Sequence, residues 1–218
     1  MTYPADDPLH MLEQLRLLPV VALEDASLAA RLGDALIAGK LPCAEITFRT
    51  DAAEQAIATL ARDERLLVGA GTVLTTDQVD RAVDAGARFI VSPGFDAAVV
   101  RHCQHRNVAV IPGVATPTEI QMALGEGLDM LKFFPAEANG GLATLAAISP
   151  AFPAVRFVPT GGIGPHNVAA YLAHPAVAAV GGSWMVATQL LREKNFSAVA
   201  RLAAEAVALT RTTVRSSP

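Results

Sequence analysis

Short apolar runs alternate with segments of helical period along almost the whole chain. Residues 18–23, 41–49, 66–70, 88–92, 108–111, 128–134, 155–159 and 177–180 read as strands. Between them, residues 26–39, 51–61, 75–86, 96–105, 116–125, 141–148 and 165–173 read as helices, of which three end on Gly39, Gly86 and Gly125. A short helix over 7–17, with Leu9, Met11, Leu12 and Leu15 on one side, precedes the first strand, and a longer amphipathic helix over 195–210 closes the chain. Strand and helix alternating in this way imply a parallel sheet, and purely apolar strands are what a sheet covered on both faces requires.

Eight such units in 218 residues fit a (β/α)₈ TIM barrel with a short N-terminal helix, at the small end of that fold's range. An open doubly wound sheet is the main alternative, but it usually carries a glycine-rich first βα turn, and none follows Leu23. No linker or low-complexity stretch interrupts the pattern, so residues 1–218 read as a single domain, with a tail over 212–218 expected to fray.

Composition narrows the function classes. Hydrophobic residues make up 52 % and charged residues 17 %, which is a folding chain and not a disordered one. A net charge of −4 without a basic block argues against nucleic acid as a partner. No apolar run approaches the ~20 residues that span a bilayer, and the N-terminus lacks the pattern of a signal peptide. Cys43 and Cys103 have no metal-type spacing and imply a reducing compartment without a disulfide framework.

In a barrel of this kind the chemistry lies at the C-terminal ends of the strands. Leu128, Met130 and Lys132 share one face of their strand, and the segment stops at Pro135, which cannot donate to a ladder. Lys132 could simply pack its stem and lift its head to water. The second strand is more unusual. Cys43, Glu45, Thr47 and Arg49 share one face, while Ala44, Ile46 and Phe48 share the other, which suits the helix layer. The first face would aim a carboxylate and a guanidinium into a core otherwise built from branched apolar residues. A Glu45–Arg49 ion pair that holds register is the plain alternative, although desolvation offsets most of what such a pair gains.

Thr72 stands at the rim after the third strand. Ser92 to Gly94 and Ile111 to Gly113 shape two further loops. After the seventh and eighth strands come Thr160-Gly161-Gly162 and Gly181-Gly182-Ser183. Paired glycines let backbone N–H groups converge on an anion, and these two loops are the recurring phosphate site of such barrels. The five histidines are scattered away from strand ends. His102 and His105 share a helix face without an evident carboxylate partner, so a solvated face is expected there, and no set of residues would hold a catalytic metal.

Burial and a neighbouring cation such as Arg49 both disfavour an ammonium at Lys132 and free its amine as a nucleophile. An amine attacks a ketone and forms an imine, which then serves as an electron sink without a metal or other cofactor. Glu45 would shuttle protons, Arg49 would hold a carboxylate, and the glycine loops would hold a phosphate. The substrate so described is a phosphorylated 2-keto acid, and the reaction makes or breaks a C–C bond.

The motifs EITFRT (45–50), GAGTVL (69–74), SPG (92–94), IPG (111–113), KFFPAE (132–137) and PTGGI (159–163) together resemble 2-keto-3-deoxy-6-phosphogluconate (KDPG) aldolases, in order and over nearly the whole chain. The resemblance implies a class I aldolase that yields pyruvate and glyceraldehyde 3-phosphate, often also cleaving 4-hydroxy-2-oxoglutarate. By the same resemblance, Lys132 would be the Schiff-base lysine and Glu45 the general acid/base. Arg49 and Thr72 would hold the pyruvate carboxylate, with Thr160 positioning substrate and Gly161, Gly162, Gly182 and Ser183 holding phosphate. Members of this family are typically cytoplasmic homotrimers of the Entner–Doudoroff pathway. Rival readings are an aldolase for the galactonate epimer, a phosphate-binding barrel epimerase, which leaves Lys132 and Arg49 unexplained, and a non-catalytic scaffold, which would need no polar face on the second strand.

Overall fold

The computed structural model describes residues 6–214; for residues 211–214 it describes the backbone alone. In chain order the elements are α1 (Pro8–Leu15), β1 (Leu17–Val21), α2 (Ala29–Ala38), β2 (Cys43–Thr47), α3 (Ala53–Leu60), β3 (Leu67–Gly71), α4 (Thr76–Asp84), β4 (Phe89–Val91), α5 (Ala97–His105), β5 (Ala109–Ile111), β6 (Gly113–Val114), α6 (Pro117–Gly125), β7 (Met130–Phe133), α7 (Gly141–Ile148), β8 (Arg156–Phe157), α8 (Val168–Ala173), β9 (Val180–Gly182), α9 (Thr188–Arg192) and α10 (Phe196–Val214). The sheet is parallel throughout and curled. One part runs β5-β4-β3-β2-β1-β9 and the other β6-β7-β8. Pro112 separates β5 from β6, since it has no N–H to give, but its carbonyl still accepts from Lys132 N at 2.9 Å. On the far side, bridges Phe157–Val177 and Thr160–Gly181 link the β8 segment to the β9 segment.

All five residues of each of β1, β2 and β3 are buried, as a sheet covered on both faces requires. The helices supply the outer cover through residues such as Leu32, Leu36, Ile57, Val79, Val100, Ile120 and Val199, all inside one continuous core. Caps set where several helices begin. Thr75 accepts from Gln78 N at the start of α4, and Thr116 with Glu119 forms a capping box at the start of α6.

Several boundaries differ from the sequence reading. β2 stops at Thr47, and Phe48 and Arg49 lie in a turn, although Phe48 N still reaches Gly71 O at 2.8 Å. The first helix stops at Leu15 because Arg16 takes a left-handed cap, and its guanidinium bonds the carbonyls of Leu172, Val177 and Ala178. A short 3₁₀ turn, Ala26–Leu28, stands ahead of α2, and α9 was not anticipated. α10 continues to Val214, past the predicted end at 210; the rest of the expected frayed tail lies outside the described residues.

Candidate active site

β2 and β7 bring Glu45 and Lys132 together. Lys132 sits one residue before the end of β7, in register with Gly113 of β6, and Glu45 is in register with Val20 of β1 and Gly69 of β3. Lys132 Nζ lies 3.4 Å from Glu45 Oε1, and the two side chains are only 6 % and 1 % exposed. Glu45 Oε2 is buried without a hydrogen-bond partner among the described residues. The ammonium also lies 5.1 Å from the centroid of the Phe134 ring. This buried pair carries no net charge whether the proton rests on nitrogen or on oxygen.

Space for the carboxylate comes from β3. A Cβ on Gly71 would lie 2.1 Å from Glu45 Oε1 and 2.4 Å from its Cγ, so only glycine leaves room for this side chain. Thr47, on the same face, donates to Val21 O at 2.9 Å, and Cys43 packs its thiol against Leu17 O. Burial pushes the Cys43 thiol far up and that of Cys103 up to about 12, and both cysteines are free. They are inert packing groups here.

The alternative of a Glu45–Arg49 ion pair is not what forms. Glu45 pairs with Lys132, while Arg49, beyond the end of β2, is exposed and donates from Nε to Thr47 Oγ1 at 3.2 Å. A guanidinium on the turn escapes the desolvation that a place inside the sheet would impose. Thr72 stands directly after β3 and holds φ at 56°, a left-handed conformation that is strained for a β-branched residue. Thr160 is buried, and a Cβ on Gly181 would lie 2.2 Å from its hydroxyl oxygen, so the two loop threads touch.

The Thr160–Gly162 loop lies beside the segment that follows the Lys132 strand. Ala136 N donates to Thr160 O at 2.8 Å and Glu137 N to Gly161 O at 3.1 Å. Gly161 and Gly162 have φ of 104° and 79°, which an L side chain rarely tolerates. Among the described residues, no acceptor takes the N–H of Gly162 or Ser183, while the bridge between Thr160 and Gly181 turns the N–H of Gly161 toward Gly181. Ser183 is exposed, and Gly182 is buried against the Trp184 ring.

Two findings were not anticipated. Tyr171, buried on α8, donates its hydroxyl to Glu137 Oε1, and burial together with that carboxylate pushes the phenol well above its ordinary range. KFFPAE contains Glu137, but nothing local points from it to a tyrosine 34 residues away. The histidine face is also not simply solvated. His102 Nε2 is 2.9 Å from Asp80 of α4, which also binds Arg106, and the rings of His102 and His105 stack. Among the described residues, no group of three or more His, Cys, Asp or Glu side chains could hold a metal ion.

Known proteins resemble this chain over most of its length. The model of the KDPG and KHG aldolase family matches residues 9–202. The 2-dehydro-3-deoxy-phosphogluconate aldolase of Treponema pallidum is 50 % identical over 192 residues, 88 % of this chain and 91 % of that protein. The crystal structure of the 2-keto-3-deoxy-6-phosphogluconate aldolase of Zymomonas mobilis with 3-phosphoglycerate superposes with a TM-score of 0.88 at 39 % identity, covering 92 % of this chain and 95 % of that one. The KDPG aldolase of Legionella pneumophila, with pyruvate captured as a covalent carbinolamine, gives a TM-score of 0.87 at 40 % identity, covering 91 % and 97 %.

Proposed function

The chain belongs to the KDPG and KHG aldolase family, and from that premise we propose that it is a class I aldolase, a lyase that cleaves 2-keto-3-deoxy-6-phosphogluconate to pyruvate and glyceraldehyde 3-phosphate, and 4-hydroxy-2-oxoglutarate to pyruvate and glyoxylate. The observation that carries this reading is the buried Lys132–Glu45 pair at 3.4 Å, with Glu45 Oε2 unpaired. It joins a nucleophile to a proton carrier inside a water-poor sheet end.

With the shared proton on Glu45, the neutral Lys132 amine adds to the C2 ketone, and Glu45 then gives that proton to the departing hydroxyl, so that loss of water leaves an iminium and a Glu45 carboxylate. Glu45, as carboxylate, takes the proton of the C4 hydroxyl as the C3–C4 bond breaks. The electron pair of that bond passes to the iminium nitrogen, leaving an enamine and the free aldehyde. Glu45 returns its proton to C3, and water hydrolyses the resulting imine to release pyruvate and the amine. Arg49 and Thr72 hold the pyruvate carboxylate. The strained backbone of Thr72 supports its role as a functional position. Thr160 positions the substrate, and the phosphate rests on Gly161, Gly162, Gly182 and Ser183, where the N–H groups of Gly162 and Ser183 have no acceptor among the described residues.

In this reading the curled sheet is a complete (β/α)₈ barrel with α1 as its short N-terminal helix. Residues 1–218 form one domain, which works as a cytoplasmic homotrimer in the Entner–Doudoroff pathway. Neither nucleic acid nor membrane is a partner; among the described residues no helix is long and apolar enough to cross a bilayer.

Borohydride reduction in the presence of pyruvate tests the site. The wild type should gain the mass of one reduced pyruvate on the peptide that holds Lys132, and Lys132→Arg should gain none, since a guanidinium cannot form the imine. Glu45→Gln should still trap pyruvate but exchange its methyl protons with solvent about 10²–10⁴-fold more slowly. Trapping on another lysine, or undiminished exchange in Glu45→Gln, removes the assignment.

A further inference from the structure

Three contacts converge on Glu137. Its backbone N–H donates to Gly161 O at 3.1 Å, and its Oε1 accepts the hydroxyl of Tyr171. The third contact is with Gly162, where a built Cβ would lie 2.6 Å from Glu137 Cβ. The backbone of Glu137 continues from β7, five residues beyond Lys132. Gly161 and Gly162 open the loop that leads into α8, and Tyr171 lies in α8 with its ring buried. One residue therefore ties together the extension of the lysine-bearing strand, the Gly161–Gly162 loop and the helix that this loop leads into. The tie is polar and directional, in a place where Gly161 and Gly162 contribute no side chain that could pin the loop by packing.

We propose that Glu137 and Tyr171 form a positioning clamp that holds the Gly161–Gly162 loop at the distance from Lys132 that a phosphorylated substrate requires. The proposal rests on the aldolase reading and adds to it two residues that do not touch the reacting atoms. A carboxylate beside a phosphate loop would oppose the ligand if its charge faced the anion. Here one oxygen is occupied by the phenol, and the glutamate itself is otherwise exposed to solvent, which screens it. What the clamp uses is the acceptor oxygen and not the charge. Loosening it lets the N–H groups of Gly161 and Gly162 spread over more orientations, which weakens phosphate capture and leaves the Lys132–Glu45 pair in place.

The test compares Tyr171→Phe, Glu137→Ala and Glu137→Gln on two substrates, 2-keto-3-deoxy-6-phosphogluconate and the phosphate-free 4-hydroxy-2-oxoglutarate, with pyruvate trapping on Lys132 as reference. Tyr171→Phe keeps the buried ring, and Glu137 is exposed, so each variant retains its core. Tyr171→Phe and Glu137→Ala should raise KM for the phosphorylated substrate about tenfold with kcat little changed. They should leave kcat/KM for 4-hydroxy-2-oxoglutarate and the trapping rate within about twofold of wild type. Glu137→Gln, which keeps an acceptor oxygen, should restore wild-type KM. Equal losses on both substrates would mean that the pair serves only the fold, and an unchanged KM in Tyr171→Phe, or a Glu137→Gln as impaired as the alanine variant, overturns the clamp. If the wild type itself traps no pyruvate on Lys132, the aldolase reading fails and the clamp with it; normal trapping with unaltered KM values overturns the clamp alone.

Discussion

At Gly71 a single methyl group decides whether Glu45 can lie against Lys132. A Cβ there would stand 2.1 Å from Oε1, 2.4 Å from Cγ and 2.6 Å from Cδ, so the whole end of the side chain would have to turn away. Overpacking of this kind costs about 1–3 kcal/mol in stability, which a domain of this size can carry. Gly71→Ala is therefore expected to fold, to trap pyruvate on Lys132, and to exchange pyruvate methyl protons at least about 10²-fold more slowly, because the proton carrier is displaced. Circular dichroism, mass spectrometry after reduction and proton NMR in D₂O check the three parts. Exchange at the wild-type rate would mean that Glu45 finds another route to the substrate. Thr72, next in the chain, shows how the rim departs from ordinary backbone preference: a β-branched residue at φ 56° is kept where glycine would be easier.

Helix starts carry their own share of stability. Helix α6 begins with Thr116, whose hydroxyl accepts from Glu119 N, while Glu119 Oε2 accepts from Ala115 N at 2.7 Å and Thr116 N at 2.9 Å. Thr116→Ala should cost about 1 kcal/mol, read as a lower urea midpoint at unchanged slope. The glutamate also makes this cap pH-dependent. Desolvation tends to raise the Glu119 pKa, but the hydrogen bonds from Ala115 and Thr116 outweigh it and hold the carboxyl below its ordinary 4.5. A pKa lower in the folded state means that the unfolded chain binds the proton more readily. The contribution is then complete above 4.5 and disappears as pH falls through the lowered folded value. The stability advantage of wild type over Glu119→Gln should be flat near neutrality and shrink only on strong acidification. An advantage that grows as pH falls would contradict this sign.

For the molecule as a whole, the proposed chemistry asks the parallel sheet to supply everything. The electron sink is the iminium on Lys132, the proton carrier is Glu45, and charge is held by Arg49 and backbone N–H groups. Prolonged chelation followed by assay should therefore leave the aldol cleavage rate unchanged. A loss restored by zinc or magnesium would require a different mechanism. The sheet can place these groups because its strands bring residues far apart in the chain to one end, 87 positions apart for Lys132 and Glu45. The seam at Pro112 and the bridges beyond β8 show where the hydrogen-bond pattern thins without losing that convergence.

The amino-acid sequence alone determines the local features. Apolar runs separated by helical periods specify the alternation of strand and helix, Thr75 and Thr116 mark helix starts, and strand parity puts Glu45 with Cys43 and Thr47 on one face. The motif from Lys132 to Glu137 and the two glycine pairs could be recognised because each is a short, contiguous pattern. Other features depend on which elements become neighbours. Parity put Arg49 on the face of Glu45, but β2 ends at Thr47, and the exposed turn beyond it costs a guanidinium far less than a place in the sheet. The partner of Glu45 is Lys132, supplied by a distant strand through a register that no local pattern encodes. Asp80 beside His102 and Tyr171 against Glu137 are of the same kind. Local periodicity selects a face and a conformation for each segment, whereas the identity of the group across a contact is decided only when the elements pack, because burial must then be compensated by whatever partner stands within reach.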